Sequence, residues 1–181
     1  MNIQIISKKS IDLTIAEITL MNNSRIKQWG KNAKVDFKKE DKNGEFIFVK
    51  NNKKIVAFGM MKPIKIKLNK NNFTILGMGR GFAIIKNKEY GRILNSARIH
   101  QLKKSQKTAV AFTDRSNIAF FEKVGFKIKK NGIRQFKYLN SKTKKLIYDP
   151  DGDMVYFEGK DKFITKLLKS KQFAITDTPF W

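Results

Sequence analysis

FTILGMGRGFAIIKNKEYGRILNSARIHQLKKSQKTAVAFTDRSNIAFFEKVGF, residues Phe73 to Phe126, decides the fold. Its first run ends on Phe82-Ala83-Ile84-Ile85, apolar throughout, as a central strand is. A basic segment, Lys86-Asn87-Lys88, then leads into a helix expected over residues 89–104. Tyr90, Ile93, Leu94 and Ala97 fall on one face of that helix. Residues 108–113 read as the next strand. Asp114 is placed to cap a short helix ending near Lys123, and Gly125 to stop it.

Outward from that stretch the chain keeps mixing strands with helices. Residues 2–6 read as a first strand, and Ser10 as the cap of a helix with Ile11, Ile15, Ile18 and Met21 on one stripe. Residues 22–44 are polar and loop-rich, with a helical turn expected near Arg25 to Trp29. A meander follows: residues 45–50, a turn at Asn51-Asn52, residues 54–68, a turn at 69–72, then residues 73–85. Pro63 predicts an edge position or a bulge, because it cannot donate to a ladder. Residues 126–129 and 133–138 read as a hairpin around Asn131-Gly132. Residues 141–181 add an acidic segment, a strand near 154–157, a helix near 162–169 and an aromatic end. The expected fold is α/β (α+β), one domain with a core of about residues 1–140 and a C-terminal extension.

Composition bounds the function. The chain has 181 residues, 41% of them hydrophobic, and 15 Phe to fill a core. It has no Cys and one histidine, His100, which excludes disulfides, thiolate nucleophiles, Cys-ligated zinc and multi-His metal sites. No apolar run is long enough for a transmembrane span, and residues 1–10 are too short an apolar patch for a signal peptide, so a cytoplasmic protein is expected. The net charge is +24. Such a field attracts phosphates and acidic partners, including nucleic acid, although a Lys-, Asn- and Ile-rich chain also follows from AT-rich codons.

A helix N-terminus offers free N–H groups and a positive dipole end, the simplest seat for a phosphate. The loop Lys86-Asn87-Lys88-Glu89-Tyr90-Gly91-Arg92 stands at such a place, with three cations and a glycine. This stretch, together with Asp114-x-x-Asn117-x-x-Phe120-Phe121-Glu122-Lys123-Val124-Gly125-Phe126, resembles the acetyl-CoA-binding core of the GNAT N-acetyltransferases. The family's phosphate loop aligns with residues 89–94 in one register and 86–91 in another, and each register lacks at least one of the loop's residues. The resemblance covers about residues 1–140 and implies a mixed, mostly antiparallel central sheet flanked by helices. It implies acetyl-CoA, or another acyl-CoA, held by Ala83, Ile84, Ile85, Lys86, Tyr90, Gly91, Arg92, Ile93, Asn117 and Phe121, between strands ending at Ile85 and Thr113. No metal is implied.

Asp149-Pro150-Asp151-Gly152-Asp153, the C-terminal Trp181, and Asp36-Phe37 with Gly44 also resemble the aminoglycoside 2′-N-acetyltransferase branch. That likeness implies an acceptor pocket with Asp36, Arg80, Asp151 and Trp181. Two customary catalytic positions differ. The family's Tyr acid is Phe121, and the branch's Glu is Arg80, which cannot serve as a base. Glu122 and the Trp181 carboxylate are the catalytic candidates that remain beside Tyr156 and His100. The expected activity is direct acetyl transfer to a primary amine, on a small molecule or on a protein lysine or N-terminus. The alternative is a degenerate GNAT-fold protein that binds acyl-CoA, nucleic acid or an acidic protein. A homodimer is implied by the family alone.

Overall fold

The computed structural model of the chain describes residues 2–140, 143–176, 178 and 179. In chain order the elements are β1 (Ile3–Lys9), α1 (Ile15–Trp29), α2 (Phe37–Glu40), β2 (Glu45–Asn51), β3 (Lys54–Leu68), β4 (Asn71–Ala83), α3 (Tyr90–Ser105), β5 (Ala109–Thr113), α4 (Ile118–Val124), β6 (Lys127–Lys129), β7 (Phe136–Leu139), β8 (Leu146–Ile147), β9 (Asp153–Phe157), α5 (Phe163–Lys169) and β10 (Ala174–Thr176). The chain divides into two compact units: residues 1–62 with 80–94, and residues 63–79 with 95–181.

In the first unit β1 pairs antiparallel with β2, and β2 with β3. The β2–β3 connection is two residues, Asn52 and Lys53, with φ of 47° and 67°. Positive φ at both positions defines the hairpin turn whose twist matches its strands, and Asn accepts that conformation readily. Phe46, Phe48, Phe58, Met60 and Phe82 supply one wall of a core, and Leu13, Met21, Val35 and Phe37 close it. Ile47 and Val49 are also fully buried, so β2 is covered on both faces. The first helix does not begin at Ser10. Residues 10–12 form a single 3-10 turn, and Thr14 caps α1 through a capping box: its hydroxyl accepts from the Glu17 N–H at 3.2 Å, and the Glu17 carboxylate accepts from the Thr14 N–H at 2.9 Å. The expected turn at residues 25–29 is the last part of this same helix.

In the second unit the strand order is β6-β9-β5-β4-β3-β10-β7-β8. Two pairings are parallel, β4 with β5 and β10 with β7; the other registered pairings of both units are antiparallel. The β4–β5 ladder sets Leu76 against Ala109 and Gly77 against Val110. Ile64, Ile66, Leu68, Ile75, Val110, Phe136 and Met154 form the core with Phe163, Ile164 and Leu167 of α5. Pro63 stands where β3 changes partner: Met61 is its last residue against β2, and Ile66 and Lys67 are those against β10. A residue without an N–H fits that gap. The hairpin expected around Asn131-Gly132 does not form. β6 pairs with β9, β7 pairs with β10 and β8, and residues 132–135 make a 3-10 turn. Asn131 does turn the chain there, with φ 52°, but the strand after it pairs elsewhere.

Candidate functional site

β4 carries a local irregularity at Arg80, whose φ of 54° is unusual for a non-glycine residue inside a strand. Conformations of this kind persist only where neighbours over-determine them. Arg80 is held by carboxylates: its Nε donates to Asp41 Oδ2 at 2.9 Å, and one terminal nitrogen donates to Glu40 Oε2 at 3.2 Å and Asp41 Oδ1 at 3.4 Å. Asp41 is fully buried, and Lys62 Nζ reaches it at 3.1 Å while also donating to the Glu40 carbonyl at 3.1 Å. Arg25, in α1, belongs to the same neighbourhood. Burial lowers its pKa, Arg80 lowers it further, and Asp41 and Glu40 act the other way. Residues 40 and 41 of the polar 22–44 segment are thereby tied to β4 at Arg80.

Beyond Ala83 the chain enters the basic loop. The Ile84 N–H donates to the Val56 carbonyl at 2.9 Å. Asn87 and Glu89 take φ of 57° and 61°, which turns the chain sharply into α3. The Glu89 carbonyl accepts from the Ile93 N–H at 3.0 Å, so the helix starts on Glu89. Tyr90 is buried, and its hydroxyl accepts from Asn51 Nδ2 at 2.8 Å, which pins the first turn of the helix. Lys86, Asn87 and Lys88 are exposed. Lys86 Nζ lies 4.8 Å over the Phe82 ring, and Phe82 stands edge-on to Trp29 at 5.3 Å. Arg92 is exposed and bridges Glu89 at 2.5 Å. The loop thus presents cations at the head of a 16-residue helix, a donor set that suits a pyrophosphate.

In the second unit Asp114 makes no side-chain cap; its carbonyl accepts from the Asn117 N–H at 3.1 Å. α4 then runs to Gly125, whose φ of 104° closes the helix with N–H bonds from Gly125 to Glu122 and from Phe126 to Phe121. Phe121 is half-buried and packs edge-on against Phe120 at 5.2 Å and Phe126 at 6.0 Å. Asn117 and Glu122 are exposed. Asp151 is exposed and lies 3.7 Å from Arg134. His100 is exposed on α3. Tyr156 is half-buried, with its pKa raised first by burial and then by Glu158.

Of the residues singled out from sequence, Arg80, Ala83, Ile84, Ile85, Lys86, Tyr90, Gly91, Arg92 and Ile93 follow one another through the first unit. Asp36 is in that unit too, where its carboxylate caps α2 by accepting from the Lys39 N–H at 3.2 Å. Asn117, Phe121, Glu122 and Asp151 are in the second unit. Trp181 lies outside the described residues. Sequence reasoning missed Asp41 and Lys62, and also Arg98. The Arg98 guanidinium is buried and donates to the Gly79 carbonyl at 2.7 Å and to Asn95 Oδ1 at 3.0 Å; burial lowers its pKa to about 10. The only sequence signal for Asp41 is its place ahead of Gly44 in a turn. A Cβ on Gly44 would sit 2.7 Å from the Asp41 carbonyl oxygen.

No protein-family model matches the chain, and no curated protein does. Solved structures do. ElaA of Escherichia coli superposes with a TM-score of 0.57 at 12% identity, over 87% of this chain and 100% of its own. The paia N-acetyltransferase of Thermoplasma acidophilum, in complex with coenzyme A, gives 0.52 at 13% identity over 87% and 99%. A GNAT family acetyltransferase of Elizabethkingia anophelis with acetyl-CoA bound gives 0.50 at 16% identity over 86% and 95%. The chain therefore has the GNAT acetyltransferase fold, a mixed α/β architecture whose sheet is mostly antiparallel. No helix among the described residues is long and apolar enough to cross a membrane.

Proposed function

We propose that this protein is an acyl-CoA-dependent N-acyltransferase that moves an acetyl group to a primary amine. The observation that carries the reading is the loop of residues 86–92: exposed cations at the head of α3, entered from a strand with a left-handed residue at Arg80, on the GNAT fold. Lys86, Lys88 and the first N–H groups of α3 would hold the pyrophosphate, with Tyr90 fixing the helix head. Gly91 lets the backbone approach without a side chain, and Arg92 exchanges Glu89 for a phosphate oxygen. Backbone groups of residues 83–85 would meet the pantetheine.

Bound acetyl-CoA supplies an activated thioester. The chain's own tasks are to align the amine and to accept its proton. Phe121 offers no proton to the departing sulfur. The thiol is acidic enough, with a pKa of about 8.5 for a comparable thiol, to leave as thiolate without a dedicated acid. Arg80, engaged by Asp41 and Glu40, positions the segment after α1 instead of acting as a base. Glu122, Tyr156 and Trp181 are the groups to test for proton transfer. The acceptor is an amine on a small molecule or on a protein.

The test is a calorimetric titration of acetyl-CoA into the full chain, with dephospho-CoA as control, followed by an amine screen for thiol release. Micromolar binding supports the reading. Binding without release under any amine favours a degenerate acyl-CoA-binding protein. Absence of binding by the folded protein overturns both.

A further inference from the structure

In the second unit β3, β10 and β7 turn one face to the core. Ile64, Ile66 and Leu68, Ala174 and Phe136 pack there with α5. Strand alternation puts Lys65 and Lys67, Ile175, and Lys137 on the opposite face. The register sets three of them in a row: Ile175 stands against Lys67 of β3 on one side and against Lys137 of β7 on the other. At the usual strand spacing Lys67 and Lys137 are about 10 Å apart, and Lys65 is about 7 Å from Lys67 along β3. Lys65 and Lys67 are exposed, and Ile175 and Lys137 are half-buried. Among the described residues none of the three lysines has a carboxylate partner.

Two aromatic rings border the row. Phe173 leads into β10 and is 43% exposed, with Lys137 Nζ 3.8 Å from its ring centroid. Tyr148 directly follows β8, which pairs with β7, and is 47% exposed. Residues 63–79, 134–147 and 162–176, which carry the face and its flanks, contain no Asp or Glu. Of the carboxylates next in the chain, Asp149 accepts from the Asp151 N–H at 3.2 Å, and Asp177 lies outside the described residues. Unpaired lysines call for anions, and open rings beside them call for flat apolar partners. A single-stranded nucleic acid brings both with every nucleotide: a phosphate for a lysine, and an unpaired base that stacks on any ring. A duplex keeps its bases stacked on one another, and an acidic peptide brings charge without bases.

We propose that this face binds a single-stranded nucleic acid, with Lys65, Lys67 and Lys137 on its phosphates and Phe173 and Tyr148 under its bases. Nothing in this set reads the sugar, so RNA and DNA strands bind alike. The proposal goes beyond the acyl-transfer reading and does not rest on it, because the loop of residues 86–92 belongs to the first unit and the row to the second.

The probe is a fluorescein-labelled oligothymidylate of about twelve nucleotides, titrated with the full chain and followed by anisotropy at several salt concentrations. Oligouridylate of equal length should bind within about threefold of it, and an abasic strand of equal charge at least about tenfold more weakly. Phe173→Leu keeps apolar bulk and removes the ring. It should weaken oligothymidylate about fivefold or more and leave the abasic strand unchanged. Lys67→Gln, at an exposed position, should lower the slope of log affinity against log salt by about 0.7, the share of one phosphate contact on a single strand. Lys169→Gln is the control, because α5 packs on the other face of these strands, and it should leave the slope unchanged. Four outcomes overturn the proposal: equal binding of the abasic strand, equal affinity in folded Phe173→Leu, the same slope in Lys67→Gln as in Lys169→Gln, or displacement of the strand by CoA at constant ionic strength. The last would place the strand on the loop of residues 86–92. Acetyl-CoA is titrated separately, so a failure here leaves the cofactor reading where it was.

Discussion

Asp41 is the residue on which the first unit's polar interior turns. Fully buried, it is neutralised from two sides, by Arg80 and Lys62. Removing one partner of a buried pair leaves the other charge uncompensated, so Arg80→Met should cost about 3 kcal/mol in urea denaturation, the lower bound for such losses because Lys62 stays. Arg80→Lys should recover part of that; equal stability of all three proteins would show that the pair does no holding. Glu17 gives a pH signature. Burial by itself would raise its carboxyl pKa, but the Lys8 hydrogen bond and the Thr14 N–H outweigh that and leave it below the usual carboxylate value. A depressed folded-state pKa means that its stabilisation is complete above the unfolded value of about 4.3 and is lost as pH falls through the folded value. Glu17→Gln preserves the capping box and removes the charge. It should therefore cost about 1 kcal/mol at neutral pH, and in melts the gap to the parent should narrow as pH falls below the unfolded value of about 4.3 and through the folded one. Phe121→Tyr, in the proposed enzyme, should leave acetyl transfer equal or faster; a large fall in kcat would mean that the apolar ring packed on Phe120 and Phe126 is what the site needs.

At the scale of elements, the tightest constraint is the end of β9. The Gly159 N–H donates to Thr108 Oγ1 at 2.9 Å, and the Lys160 N–H to the Gln106 carbonyl at 2.9 Å. A Cβ on Gly159 would overlap the Gln106 carbonyl oxygen and lie 2.5 Å from both the Lys107 carbonyl carbon and the Thr108 nitrogen. All three are backbone atoms that cannot step aside, so Gly159→Ala should force residues 159 and 160, just after β9, off residues 106–108 and cost more than about 2 kcal/mol in thermal melts. A matched change at Gly30, where a Cβ meets nothing, isolates the strain of its φ of 82° from crowding. Gly159 also marks where sequence reading stops. β4, α3, β5 and α4 were legible because their apolar periods and the stop at Gly125 are local properties of the chain. The partner of β6 was not. Residues 126–138 carry a good turn signal in Asn131-Gly132, yet β6 pairs with β9, whose residues come more than 20 positions later. Ser10 and Thr14 are both acceptable caps, and only the Glu17 carboxylate three residues after Thr14 tells them apart. The loop at residues 86–92 could be found by residue type, whereas Asp41 and Lys62 acquire meaning only from burial and from partners far along the chain.

Over the whole molecule the dominant fact is charge, +24 on 181 residues. A field of that sign accelerates the approach of an anion such as CoA, and by the same reasoning slows a free polyamine. Steering acts on encounter far more than on the docked state, because exposed charges are screened beyond about 8 Å at physiological salt while close hydrogen bonds are not. If the loop of residues 86–92 takes the pyrophosphate, the association rate of acetyl-CoA should fall about tenfold between roughly 50 and 500 mM salt. The dissociation rate should change less than about twofold, since it reports short contacts. Stopped-flow measurement separates the two. A contact made chiefly of many phosphate–lysine pairs behaves differently: its equilibrium affinity falls by about 10³ or more over a fourfold rise in salt, as nucleic-acid complexes do. Arg92→Glu places repulsion beside Lys86 and Lys88 and should raise the acetyl-CoA dissociation rate without altering its salt dependence. An equal dissociation rate would remove Arg92 from the phosphate site and leave its bridge to Glu89 as a helix-head contact only. The salt series on rates and the single charge reversal therefore distinguish a diffuse basic surface from a built cofactor loop.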